Sequence, residues 1–167
     1  MWWHKSKLAC CVIFLLAFAG CSTVNIGQLD ETVSAEVGSV SVVETSGRAG
    51  QLYSRTLRQE LYLYGKAVPT YELKSSISVS SSSTLSVTGV SSSFKKMTMI
   101  ANFELTKQGG GDVLLQDTVI ADATLGTVSS LFGQDQSELH ARDRMARLIA
   151  QRVAQRIQLY FLENAVN

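Results

Sequence analysis

Residues 97–124 read MTMIANFELTKQGGGDVLLQDTVIADAT, and the alternation in this stretch decides the fold. Met97, Met99, Ala101, Phe103 and Leu105 fall on one side, with Thr98, Asn102 and Glu104 on the other. A period of two is that of a strand with one buried face. Gln108-Gly109-Gly110-Gly111-Asp112 supplies residues that tolerate positive φ, as a tight connection requires. Val113, Leu115, Val119, Ala121 and Ala123 then alternate back, which predicts an antiparallel hairpin with one face in a core. Asp117 interrupts the apolar side and predicts a bulge or a sheet edge at that point.

Outward from the hairpin, Tyr71, Leu73, Ile77 and Val79 alternate with Glu72, Lys74 and Ser78, so a further half-buried strand precedes it. Between them lies a serine tract: eleven of the nineteen residues from Ser75 to Ser93 are serine. Serine this dense buries little apolar area, which predicts an exposed strand pair or a long loop with weak register. Upstream, Val37, Val40, Val42 and Val43 form a short β-type run. Ser46-Gly47 is a candidate cap for a helix from Arg48 to Tyr64, in which Tyr53, Leu57 and Leu61 recur every four residues. Gly65 and Pro69 end it.

The C-terminal segment Gln136–Leu162 reads as one helix, following a loop over 126–133. Met145, Leu148, Ile149, Val153, Ile157, Tyr160 and Phe161 lie on its apolar arc, and Arg144, Arg147, Gln151 and Gln155 on its polar back. Arg152 and Arg156 sit on the flank, a position where stems lie on apolar surface with heads in water. The order β-α-β-β-β-α predicts an α+β fold, a single domain with a largely antiparallel sheet of about four strands and two helices on one face.

The first twenty residues have a different character. His4, Lys5 and Lys7 precede twelve apolar residues, Leu8–Ala19, closed by Gly20 and Cys21. This is the layout of a secretory signal, and it falls short of the roughly 20 residues that a membrane-spanning helix needs. Phe18-Ala19-Gly20-Cys21 resembles the bacterial lipobox, whose cysteine is lipidated and becomes the first residue of the mature chain. Cys10 and Cys11 would leave with the signal, so Cys21 would be the single cysteine in an oxidising compartment, and acylation accounts for it. Ser22 lacks the aspartate that holds such lipoproteins at the inner membrane. The expected layout is a signal peptide over 1–20, a lipidated and mostly unstructured tether over 21–36, and a folded domain over 37–165, held on the periplasmic side of the outer membrane.

Without Lys5 and Lys7 the chain carries thirteen basic and fourteen acidic residues, and this balance excludes the basic excess of a nucleic-acid protein. His140 is the one histidine beyond the signal, Cys21 would be blocked, and neither a metal-ligand spacing nor a Gly-x-Ser-x-Gly motif occurs. The expectation is a protein without catalytic residues, metal or cofactor other than the lipid on Cys21, with His140 on the surface.

Three stretches resemble the LptE family of lipopolysaccharide-assembly lipoproteins. They are Arg48 with Gln51-Leu52 and Leu57–Leu61, then Lys95–Asp122, then Ser137–Ile157 with Arg142-Asp143-Arg144. The resemblance implies a domain that plugs and helps assemble the outer-membrane β-barrel LptD and contacts lipopolysaccharide on its way to the outer leaflet. At matching places Lys95 and Lys96 would meet the lipid phosphates. Two other readings share the anchor: an auxiliary lipoprotein of a periplasmic phospholipid-transport system, and a periplasmic hydrolase whose base would be His140.

Overall fold

The computed structural model describes residues 26–63, 65–84, 94–126 and 130–166. The signal segment, Cys21 and the stretch 85–93 of the serine tract, with Leu85 and Val87, lie outside the described residues. The elements in order are α1 (Ile26–Gly38), β1 (Val40–Val42), α2 (Gly47–Leu61), β2 (Tyr71–Thr84), β3 (Phe94–Lys107), β4 (Val113–Gly126) and α3 (Leu131–Val166).

The predicted hairpin is present and longer than the quoted stretch. Met99 faces Ala121 and Phe103 faces Asp117 across β3 and β4. Gly109 and Gly110 turn the chain with φ of 94° and 85°, values that a Cβ would oppose. The bulge sits nearer the turn than Asp117: Leu105 faces Leu115 and Thr106 faces Val113, so Leu114 is the extra residue. The other expectation for Asp117 holds, because β4 is an edge strand of the sheet order β1-β2-β3-β4.

β2 runs antiparallel to β3 without a register shift from Tyr71 opposite Lys107 to Thr84 opposite Phe94, so serines 75–83 belong to a regular strand. β1 pairs with β2 in parallel, Val40 opposite Tyr71 and Val42 opposite Leu73. A parallel pair needs a crossover, and α2 supplies it. The sheet is therefore mixed, with its one parallel pair at the short edge strand.

The core lies on one side of the sheet. Leu73, Met97, Met99, Phe103 and Leu105 are buried there with Tyr53, Leu57 and Leu61 of α2 and Met145, Ile149, Val153 and Ile157 of α3. Ala146, Ala150 and Ala154 are also buried, and their small side chains let α3 lie close to its neighbours. Leu148, placed on the apolar arc from its spacing, is on the exposed flank instead. Buried polar groups are tied in: the Thr45 N–H donates to Ser54 Oγ at 3.0 Å, and Tyr53 Oη and Ser75 Oγ share a hydrogen at 2.9 Å. Burial pushes the Tyr53 phenol up to about 12.

Two boundaries differ from the sequence reading. Residues from Ile26 onward, taken as unstructured tether up to Glu36, form the helix α1, whose Val33 and Val37 turn inward at a four-residue spacing. α3 starts at Leu131, inside the expected loop. At about 1.5 Å per residue its 36 residues span about 54 Å, close to the length of the 14-residue strands beneath it. Ser46 is the N-cap of α2 in extended conformation, although its hydroxyl makes no capping bond.

Candidate interaction surface

The second face of the sheet carries no helix. It is built from the even-numbered residues of β2, β3 and β4, which alternation turns away from the core. Ser76, Ser78, Ser80 and Ser82 line β2 and are exposed. Across β3 and β4 the facing pairs are Thr98 with Asp122, Ile100 with Ile120 and Asn102 with Thr118. Thr98 donates to Asp122 Oδ1 at 2.6 Å, and Thr118 donates to Asn102 Oδ1 at 2.8 Å. The Thr98 hydroxyl and then Lys96 hold the Asp122 carboxyl below the usual carboxylate range. The result is a broad surface of hydroxyls, amides and mostly paired charges, relieved by Ile100, Ile120 and, at the start of β3, Phe94.

Lys95 and Lys96 do not form one patch, because adjacent strand residues point to opposite faces. Lys95 turns to the helix side, where Nζ lies 2.6 Å from Glu138 Oε1 on the first turns of α3. Gln134 Nε2 donates to the same oxygen at 3.1 Å, and Arg142 approaches the other at 3.7 Å. These donors, Lys95 first, hold Glu138 below the usual carboxylate range. Lys96 stands on the open face, 3.0 Å from Asp122 and about half exposed.

Arg152 and Arg156 reach back over the edge of β4. Arg152 Nη1 donates to the carbonyl of Ile120 at 2.6 Å, and Arg156 Nε lies 3.5 Å from Asp117 Oδ2. Their stems lie on the flank of α3 as the spacing implies, but their heads are bound to the strand.

Two features escape the sequence reading. Arg48, Arg55, Arg58 and Arg147 line a cleft of about 580 Å³ between α2 and α3, together with Glu44 and Asp143. Arg48 pairs with Asp143 at 3.4 Å, and Arg58 donates to the Val42 carbonyl at 3.3 Å. The α2 arginines are legible as a polar helix face, whereas Arg147 arrives from a segment about ninety residues on. The second is an aromatic groove of about 340 Å³ between α1 and the end of α3, where the Tyr71 and Phe161 rings meet at 5.0 Å between centroids, tilted by 56°. Burial first, and Glu36 beside it, push the Tyr71 phenol up to about 12.

His140 is exposed on α3. Among the described residues no three His, Cys, Asp or Glu side chains gather as a metal site would require, and no helix is long and apolar enough to cross a membrane.

The family model described as "LptE: Lipopolysaccharide-assembly" matches residues 36–157, from the end of α1 into the second half of α3. No curated protein matches the chain by sequence. Among solved structures, a protein of Caulobacter crescentus CB15 superposes with a TM-score of 0.62 at 14% identity, over 78% of this chain and 96% of its own. A Xanthomonas campestris protein gives 0.53 at 10% identity, over 77% and 88%. Rare lipoprotein B from Shewanella oneidensis is 18% identical, covers 77% and 96%, and has a TM-score of 0.48. At these identities the first two likenesses are likenesses of fold.

Proposed function

Because the chain belongs to the LptE family of lipopolysaccharide-assembly lipoproteins, non-enzymatic proteins of outer-membrane assembly, we propose that it seats inside the LptD β-barrel and supports both barrel assembly and lipopolysaccharide passage. The observation that carries this reading is the helix-free sheet face. Its three long strands present serine, threonine and asparagine with each of the two carboxylate and amide pairs already satisfied by a hydroxyl. The interior of a large outer-membrane barrel is polar, and a surface of this kind, on which Glu104 is the one charge without a partner among the described residues, can meet it at little desolvation cost. Lipidation of Cys21 would hold the domain on the periplasmic side of the outer membrane, where the barrel is built. Both lysines are paired, but Lys96 is the better placed to meet a lipopolysaccharide phosphate, since it stands on the open face and is more exposed than Lys95, which turns to the helix side.

The test is extraction of the full-length lipoprotein in mild detergent. The expected result is a stoichiometric complex with a barrel protein of several times its mass. Recovery with inner-membrane transporter subunits and no barrel would sink the reading in favour of a phospholipid-transport accessory.

A further inference from the structure

The two long edges of the sheet are treated differently by the sequence. An unpaired strand edge is a template for another strand, and folded proteins guard it with charge, proline, a bulge or a covering side chain. β4 has such guards: Arg152 fills the outward carbonyl of Ile120, Arg156 reaches Asp117, and the strand is bulged at Leu114. β2 has none beyond its first residues. The Val43 N–H donates to the Leu73 carbonyl at 3.0 Å, and the Thr45 hydroxyl donates to the Ser75 carbonyl at 3.4 Å. These contacts show that odd-numbered residues of β2 turn their backbone polar groups outward, since N–H and C=O of one residue point to the same side of a strand. From Ile77 to Ser83 no described residue hydrogen-bonds to those outward groups. The same stretch holds no charge, no proline and no register shift.

We propose that the β2 edge from Ile77 to Ser83 accepts an added strand, an extended segment of the outer-membrane barrel partner with alternating polar and apolar side chains. This rests on the barrel reading above. The edge asks for that alternation, because Ile77 and Val79 point to the core side while Ser76, Ser78 and Ser80 point to the open polar face. A barrel strand supplies lipid-facing apolar and lumen-facing polar residues in the same period, and its usual length of about 9–11 residues covers the open edge. A strand still outside a closed barrel has its own free edge, so the two would satisfy each other through main-chain bonds. A second copy of β2 would bring only Ile77 and Val79 as apolar cover.

The proposal is tested by residue-resolved amide hydrogen exchange on the full-length lipoprotein, alone and in complex with its barrel protein captured before the barrel closes. In the complex the amides of Ile77, Val79, Ser81 and Ser83 are expected to slow by about 100-fold or more, whereas Ser76, Ser78, Ser80 and Ser82, already bonded to β3, change little. Ser81→Pro removes one outward donor and leaves the β3 ladder intact, so it should cut recovery of the complex by about fivefold or more with the unfolding temperature unchanged. A complex that forms without the alternating protection overturns the edge assignment and leaves the barrel reading standing. Concentration-dependent protection in the lipoprotein alone assigns the edge to a second copy and likewise overturns it. Absence of a complex both before and after closure removes the barrel reading and this proposal together.

Discussion

Lys95 and Glu138 bring the start of the hairpin and the start of α3 together through a single ion pair. Glu138 is 15% exposed and takes donors from two elements, which places the pair above an ordinary surface bridge, though at about 1 kcal/mol its worth stays modest. The sign of its pH dependence follows from the lowered carboxyl. Its stabilising contribution is complete above the unfolded carboxylate value near 4.3 and is lost as pH falls through the lower folded value. Thermal unfolding followed from pH 7 to pH 3 should therefore show a steeper acid loss in the native protein than in Glu138→Gln, and equal slopes would refute the assignment. A basic pair at residues 95–96 is plain in the sequence. Its division between two faces follows from strand alternation alone, but the partners, Glu138 and Asp122, are 43 and 26 residues away and no local pattern names them.

At the scale of elements, the hairpin was legible because it combines two strong signals, alternation and a glycine turn. α1 was not, because its helical spacing, Ile26, Leu29, Val33 and Val37, is sparse among polar residues, and the surface that Val33 rests on includes Phe161, over a hundred residues later in the chain. The early start of α3 was hidden for a related reason: Leu131 and Phe132 are exposed, so they add no period, and Gly133 imitates a loop. The parallel β1 was hidden by brevity, since three residues cannot declare their direction. The guarding of β4 is a property of elements and makes a prediction there. Arg152→Ala with Arg156→Ala should leave the helix and sheet content by circular dichroism unchanged while sedimentation velocity shows new self-association through the uncovered strand. A monomer at the same concentration would show that the edge needs no such cover.

For the whole molecule, the described fold starts with α1 at Ile26 and the proposed lipid attachment at Cys21 would precede it by a few residues, so attachment and folding would be separable. Cys21→Ala is expected to leave the unfolding temperature of the purified protein unchanged and to shift the protein from the membrane to the soluble fraction on cell fractionation. A variant that fails to fold would show that the N-terminal segment belongs to the core. The sequence alone suggests this separation, since Phe18-Ala19-Gly20-Cys21 stands clear of the first strand. The surface that would meet a barrel was readable only in part. Its serines were visible, but their placement in a regular strand with one free edge depends on fourteen pairings with β3.

The parallel pairing of β1 also sets an order of events. The β3–β4 hairpin closes a short loop and can form from local contacts, whereas β1 cannot dock until the crossover helix and β2 exist. Substitutions in the hairpin should therefore act on the rate of folding, and those in β1 or α1 on the rate of unfolding. With the proposed lipid on Cys21, the portion nearest the membrane would lock last. During that interval, with α1 and β1 not yet docked, the incipient sheet would be free to turn toward whatever it is to enter.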